Sequence, residues 1–119
     1  MSIETNSNLG NINVSKEAIA SLTGGIVSEC YGVVGMASRK IFHDGLAELL
    51  KKDNYSRGVV VRQGENGLIL DLYIIVSFGV RISEVVSEVQ KKVKYSLSKS
   101  LDQEFEAVNV FVQGVRMMD

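Results

Sequence analysis

The sequence predicts an α+β fold: a single two-layer domain in which one mixed or antiparallel sheet carries two main amphipathic helices on one face. Residues 68–78, LILDLYIIVSF, put Leu68, Leu70, Leu72, Ile74, Val76 and Phe78 on one side of a β-strand, because side chains alternate with period two. Ile69, Asp71, Tyr73, Ile75 and Ser77 fall on the other side. Two stretches, 15–30 and 82–101, repeat apolar residues at helical spacing, and each needs a greasy surface to cover. The even-numbered side of 68–78 supplies that surface. At 119 residues the chain has room for one such core and not comfortably for two.

Residues 1–9 are small and polar and read as a flexible N-terminal segment ahead of one domain over 10–119. A short strand over 11–14 leads to Ser15, a credible N-cap, with Glu17 in the first turn where a carboxylate complements the helix dipole. Ile19, Leu22, Ile26, Val27 and Cys30 then mark the apolar stripe of the first helix. Gly24 and Gly25 interrupt it, which implies close packing on a neighbour, a kink or a weak helix. Residues 31–38, YGVVGMAS, read as a strand with glycine irregularities. A short helix is expected over 42–52 with Leu46, Leu49 and Leu50 inward, followed by a loop at DNYSRG.

The β-branched run 58–63 joins the long strand through Gly64, Glu65, Asn66 and Gly67 as a hairpin. From 82 to 101 the stripe is Ile82, Val85, Val86, Val89, Val93, Leu97 and Leu101, with Glu84, Glu88, Lys91, Lys92, Lys94 and Lys99 largely outside it. A last strand over 107–115 sets Val108, Val110 and Val112 on one face and Asn109, Phe111, Gln113 and Val115 on the other. If that strand runs parallel to 68–78, the intervening helix makes a right-handed crossover.

Thirteen Lys and Arg balance fourteen Asp and Glu, so the net charge of −1 gives no global field to draw in nucleic acid or anionic lipid. A single cysteine rules out an intramolecular disulfide and multi-cysteine metal sites, and suits a reducing cytoplasm. The N-terminus lacks the basic and apolar regions of a secretory signal, and no run of about 18 apolar residues is present for a membrane span.

Reagents for chemistry are scarce. His43 is the only histidine, and its neighbour Asp44 would point elsewhere on a helix. Cys30 falls on a core-facing stripe, where cysteine behaves as a small hydrophobe. No phosphate-binding or dinucleotide-binding glycine motif and no nucleophile elbow occurs, so no cofactor is expected. Gly32-Val33-Val34-Gly35 has the spacing of the KH-domain loop that clamps RNA, but with two valines where that loop is polar or basic. With the lysines of the second helix, it supplies the alternative reading of a small RNA-binding module. The acidic residues around those lysines favour a solvated face instead.

The odd-numbered face of 68–78 is more apolar than water requires. Ile69, Tyr73 and Ile75, joined by Phe111 and Val115 if their strands are neighbours, form the candidate interface. The bland alternative is that residues 39–57 fold over it. A free sheet edge would add a route to self-assembly by strand addition. The expected partners are therefore a second copy or another protein.

Three stretches, 10–36, 68–94 and 108–116, resemble in order the alkaline shock protein family of Gram-positive envelope stress response proteins, in particular its small YloU-like branch. Ser83 stands where the family has proline at a helix start, and 41–57 is longer than the usual connector. The resemblance implies a cytoplasmic, non-enzymatic protein linked to envelope stress. It also implies self-association and an indirect membrane association, through an anchoring protein, as in the larger relatives.

Overall fold

The computed structural model describes the backbone of residues 2–7, 10–41, 47–50, 52–101 and 103–117, and side chains within 15–38, 50, 55–101 and 103–117. Its elements are β1 (Ser2–Ser7), β2 (Gly10–Ser15), α1 (Lys16–Ser28), β3 (Val33–Ile41), β4 (Ala47–Leu49), a 3-10 helix (Lys52–Gly58), β5 (Val59–Gln63), β6 (Leu68–Ser77), α2 (Ile82–Leu101) and β7 (Phe105–Arg116). The two-layer α+β architecture expected from the sequence is the one observed, with a mixed sheet.

β6 is its central strand. On one edge it pairs antiparallel with two strands placed end to end, β5 along its first half and β3 near its end. On the other edge it pairs with β7, in parallel, over its whole length. β4 extends the sheet beyond β3. The hairpin between β5 and β6 has the expected register, Gln63 opposite Leu68, closed by Gly64 N–H donating to Gly67 O at 2.7 Å.

The core lies between the sheet and the helices. Leu68, Leu70, Leu72, Ile74 and Val76 are all buried there, against Ile19 and Val27 of α1 and Val85, Val89, Val93 and Leu97 of α2. Ser15 caps α1, its hydroxyl oxygen accepting from Ala18 N–H at 3.0 Å. Gly24 is buried, and a Cβ there would lie 2.9 Å from Tyr55 Cβ, so close packing explains this glycine, whereas Gly25 faces open space.

Several elements depart from the sequence pattern. Phe78 is not on the core face but in the turn after β6, 69% exposed, because Gly79 at φ +91 begins the reversal into α2. Leu22 is exposed, since the buried face of α1 is centred on Ile19, Ala20, Thr23, Gly24 and Val27. Ile82 is likewise exposed at the start of α2. Tyr31 and Gly32 belong to a turn, and β3 starts at Val33. The helix expected over 42–52 is not found where the backbone is described: 47–49 pair as a strand with β3, and 52–58 form a 3-10 helix instead of a loop. Residues 42–46 and 51 lie outside the described residues, and of the three leucines only the side chain of Leu50 is described, and it is buried. Ser2–Ser7, where the sequence suggests no element, pairs antiparallel with Gly10–Ser15.

Candidate interaction face and edge

The odd-numbered residues of β6 point away from the helices, and the register assigns their neighbours. Ile69 lies beside Ala107, Asp71 beside Asn109, Tyr73 beside Phe111 and Ile75 beside Gly114. The Tyr73 and Phe111 rings stack with centroids 5.1 Å apart and planes inclined by 18°. Phe111 remains 44% exposed, and Ile69 and Tyr73 are half-buried. These three of the five candidate residues therefore share one accessible face.

The other two do not join them: Ile75 is covered, and Val115, although 47% exposed, is turned to the other face. Ile75 lies on the same side but is only 2% exposed. Val115 is aligned with Val76, whose side chain enters the core. The alternation that places Val115 with Phe111 is broken by a β-bulge: Ile74 pairs with Val112 and Ile75 with Gly114, so Gln113 is an extra residue and every later side chain changes face. Where the 39–57 stretch has described side chains, Tyr55 packs against Gly24, on the helix side.

A polar row crosses the same outer face. Arg62 on β5 donates from Nε to Asp71 Oδ2 at 2.9 Å and from its terminal nitrogen to Oδ1 at 3.1 Å. Asn109 on β7 donates to Oδ1 from the opposite side at 2.9 Å. Asp71 is thus satisfied across three strands, a group that alternation alone would leave as an isolated acid. The Arg62 guanidinium holds its carboxyl below the usual range against the opposing effect of burial, and Asn109 adds to the lowering. The row reads as a structural clamp that keeps β5, β6 and β7 in register, with the aromatic pair next to it. Its charges are paired with each other and do not oppose docking.

Elsewhere the structure offers less. Burial pushes the Cys30 thiol up, and its Sγ–H donates to Ile26 O at 3.5 Å. A protonated, engaged thiol is a poor nucleophile. His43 lies outside the described residues. Gly32 sits in a turn at φ +85 against Val85, while Val33 and Gly35 are already paired with β6, so this stretch is not an open phosphate-clamping loop. Among the described residues no cluster of metal-ligating side chains occurs and no helix is long and apolar enough to cross a membrane.

Fold and surface define a two-layer α+β protein whose distinctive features are an exposed sheet face and, among the described residues, an unpaired β7 edge. The chain belongs to the alkaline shock protein family, described as having a cell envelope-related function, whose model matches residues 4–117. It is 50% identical over 117 residues to the uncharacterized protein YloU of Bacillus subtilis (strain 168), covering 98% of each chain. It is 40% identical to the uncharacterized protein Spy1614 of Streptococcus pyogenes serotype M6 (strain ATCC BAA-946 / MGAS10394), covering 99% of this chain and 98% of that one. A third relative, the uncharacterized protein YqhY of Bacillus subtilis (strain 168), is 31% identical over 91% of this chain and 78% of its own. No solved structure matches. The family resemblance carried by 10–36, 68–94 and 108–116 is thereby membership.

Proposed function

We propose that this chain is a non-enzymatic interaction or scaffold protein of the cytoplasm, linked to cell-envelope (alkaline) stress. It acts by self-association or by holding a protein partner, and reaches the membrane, where it does so, through an anchoring protein. The observation that carries the reading is the stacked Tyr73 and Phe111 pair, left open on the outer sheet face beside a charge-neutral clamp. Aromatic side chains that present large rigid area at low entropic cost are what protein interfaces enrich. Family membership supplies the envelope-related setting.

Light scattering across a concentration series, paired with affinity capture from native cytoplasm, tests this with wild type against Tyr73→Glu. Wild type should exceed the 13.0 kDa monomer or retain a stoichiometric protein companion, and the variant should lose either behaviour. A wild type that is monomeric and without a companion would end the proposal.

A further inference from the structure

The outward face of α2 changes character along its length. Val89, Val93 and Leu97 are fully buried against the sheet, so Lys91, Tyr95 and Lys99, four residues apart on the opposite face, stand in a row pointing away from the core. Lys92 and Lys94 flank the row, and all five side chains are exposed. From Val89 to Leu101 there are four lysines and no Asp or Glu, in a chain whose net charge is −1. The Lys99 ammonium lies over the Tyr95 ring, 5.6 Å from its centroid, while Tyr95 stays 67% exposed. The result is a straight basic ridge, about 12 Å from Lys91 to Lys99 at the helical rise of about 1.5 Å per residue.

The acids that sequence order places near these lysines do not neutralise them. Glu84 pairs with Arg81 at 3.4 Å, about two turns before Lys91. Glu106 turns to the hairpin between β5 and β6, where its Oε1 accepts from Asn66 N–H at 2.8 Å. Glu88 reaches Lys91 only at 4.0 Å, with both side chains largely exposed, a geometry that contributes little. Glu29 and Glu88 act on the Cys30 thiol together with Lys92, which puts both acids at the start of the ridge. Among the described residues Lys92, Lys94 and Lys99 have no ion-pair partner.

We infer that this ridge is a docking surface for a bilayer carrying anionic phospholipid. The inference goes beyond the interaction reading above and uses the opposite layer of the domain: the helices cover one side of the sheet, while Tyr73 and Phe111 open on the other. Charge complementarity sets the sign of the partner, and shape sets its kind. Single-stranded nucleic acid is held in a basic groove by aromatic rings on which bases stack. Here the lysines crown a convex helix, and one face of Tyr95 is taken by Lys99. The cavities beside α2 open around Tyr31 and Val80, toward its other end. A convex ridge of long, flexible cations meets a plane of mobile anions along its whole length. Clusters of about four to eight basic residues on an amphipathic helix recognise such surfaces, and tyrosine suits the headgroup level. The contact is weak and reversible, adds to a protein anchor without replacing it, and leaves the aromatic sheet face turned away from the bilayer.

Co-sedimentation of the full chain with lipid vesicles tests this. At low ionic strength the protein should pellet with vesicles of phosphatidylglycerol and phosphatidylcholine and stay in solution with phosphatidylcholine alone. Added salt should release it, because exposed charges are screened beyond about 10 Å at about 0.1 M. Each lysine near an anionic surface strengthens binding about fivefold, so Lys91→Gln with Lys99→Gln should weaken it about 25-fold. Lys91→Arg with Lys99→Arg should retain it. Arg81→Gln removes the same charge near the other end of the helix and should change binding little. The chain has no tryptophan, so Tyr95→Trp supplies a single indole whose emission should shift to the blue on anionic vesicles. No pelleting with anionic vesicles at low salt, an equal loss in Arg81→Gln, or an unshifted emission would overturn the lipid contact. Retention of an RNA oligomer without vesicle binding would overturn it too, and assign the ridge to nucleic acid. None of these outcomes alters the light-scattering result for Tyr73→Glu, on which the interaction reading stands.

Discussion

The two faces of the central strand obey different rules. On the helix side Leu68, Leu70, Leu72, Ile74 and Val76 are uniformly buried in one cluster. On the outer side the same strand runs from Ile75, almost fully covered, through the clamped Asp71, to the half-buried Ile69 and Tyr73. The first face is a property of β6 alone, since any residue of that parity meets the helices. The second is made by the neighbours: Arg62 and Asn109 determine the fate of Asp71, Phe111 that of Tyr73.

Truncation should separate the faces cleanly. Leu72→Ala removes a fully buried side chain and should cost about 2–5 kcal/mol in urea or thermal unfolding, as large-to-small core changes do. If it costs no more than Tyr73→Ala, the helix-side core is misplaced. Asp71→Asn comes next, at about 1–3 kcal/mol, because it weakens a clamp shared by three strands. The sign with pH follows from the lowered carboxyl. Its folded pKa lies below its unfolded one, so the stabilisation is fully present above the unfolded value and is lost as pH falls through the folded value. The gap between wild type and Asp71→Asn should therefore narrow on acidification, and a gap that widens would show that the clamp does not act.

Smaller effects are expected from the stacked pair. Tyr73→Leu should cost about 0.5–1.5 kcal/mol beyond its area change, and a Tyr73, Phe111 double-mutant cycle would isolate that part. The contrast of covered and open sites recurs at two adjacent glycines of α1. Gly24→Ala should destabilise, because its Cβ would press on Tyr55, whereas Gly25→Ala, with nothing within 4 Å, should stabilise by about 0.5–1 kcal/mol. Melting temperatures of the two variants moving in the same direction would mean that the tight approach at Gly24 is absent.

Much of this is readable in the residues, and what escapes such reading has a common cause. Period-two alternation marks the core face of β6, and helical spacing marks Val85, Val89, Val93 and Leu97, because each pattern is local and its burial one-sided. Alternation misplaces Val115 because the bulge at Gln113 reverses parity, and the adjacent Gly114 does not by itself announce an extra residue. The Arg62, Asp71 and Asn109 row depends on which strands are neighbours, and that comes from pairing over long sequence separations. The 3-10 turn at 52–58 likewise depends on Tyr55 finding Gly24 across the fold. For the interface, the strand and two aromatic positions follow from alternation, while the enclosure of Ile75 does not.

Amide hydrogen exchange of β7, followed residue by residue as protein concentration is raised, reports on the edge itself. Val110 and Val112, which stand opposite Leu72 and Ile74 in the parallel ladder and so turn their N–H groups outward, should become slower to exchange if copies associate through this edge, while Leu70 and Leu72, already bonded to β7, should change little. Outward amides that exchange quickly and at the same rate at every concentration would show that this edge binds no second copy.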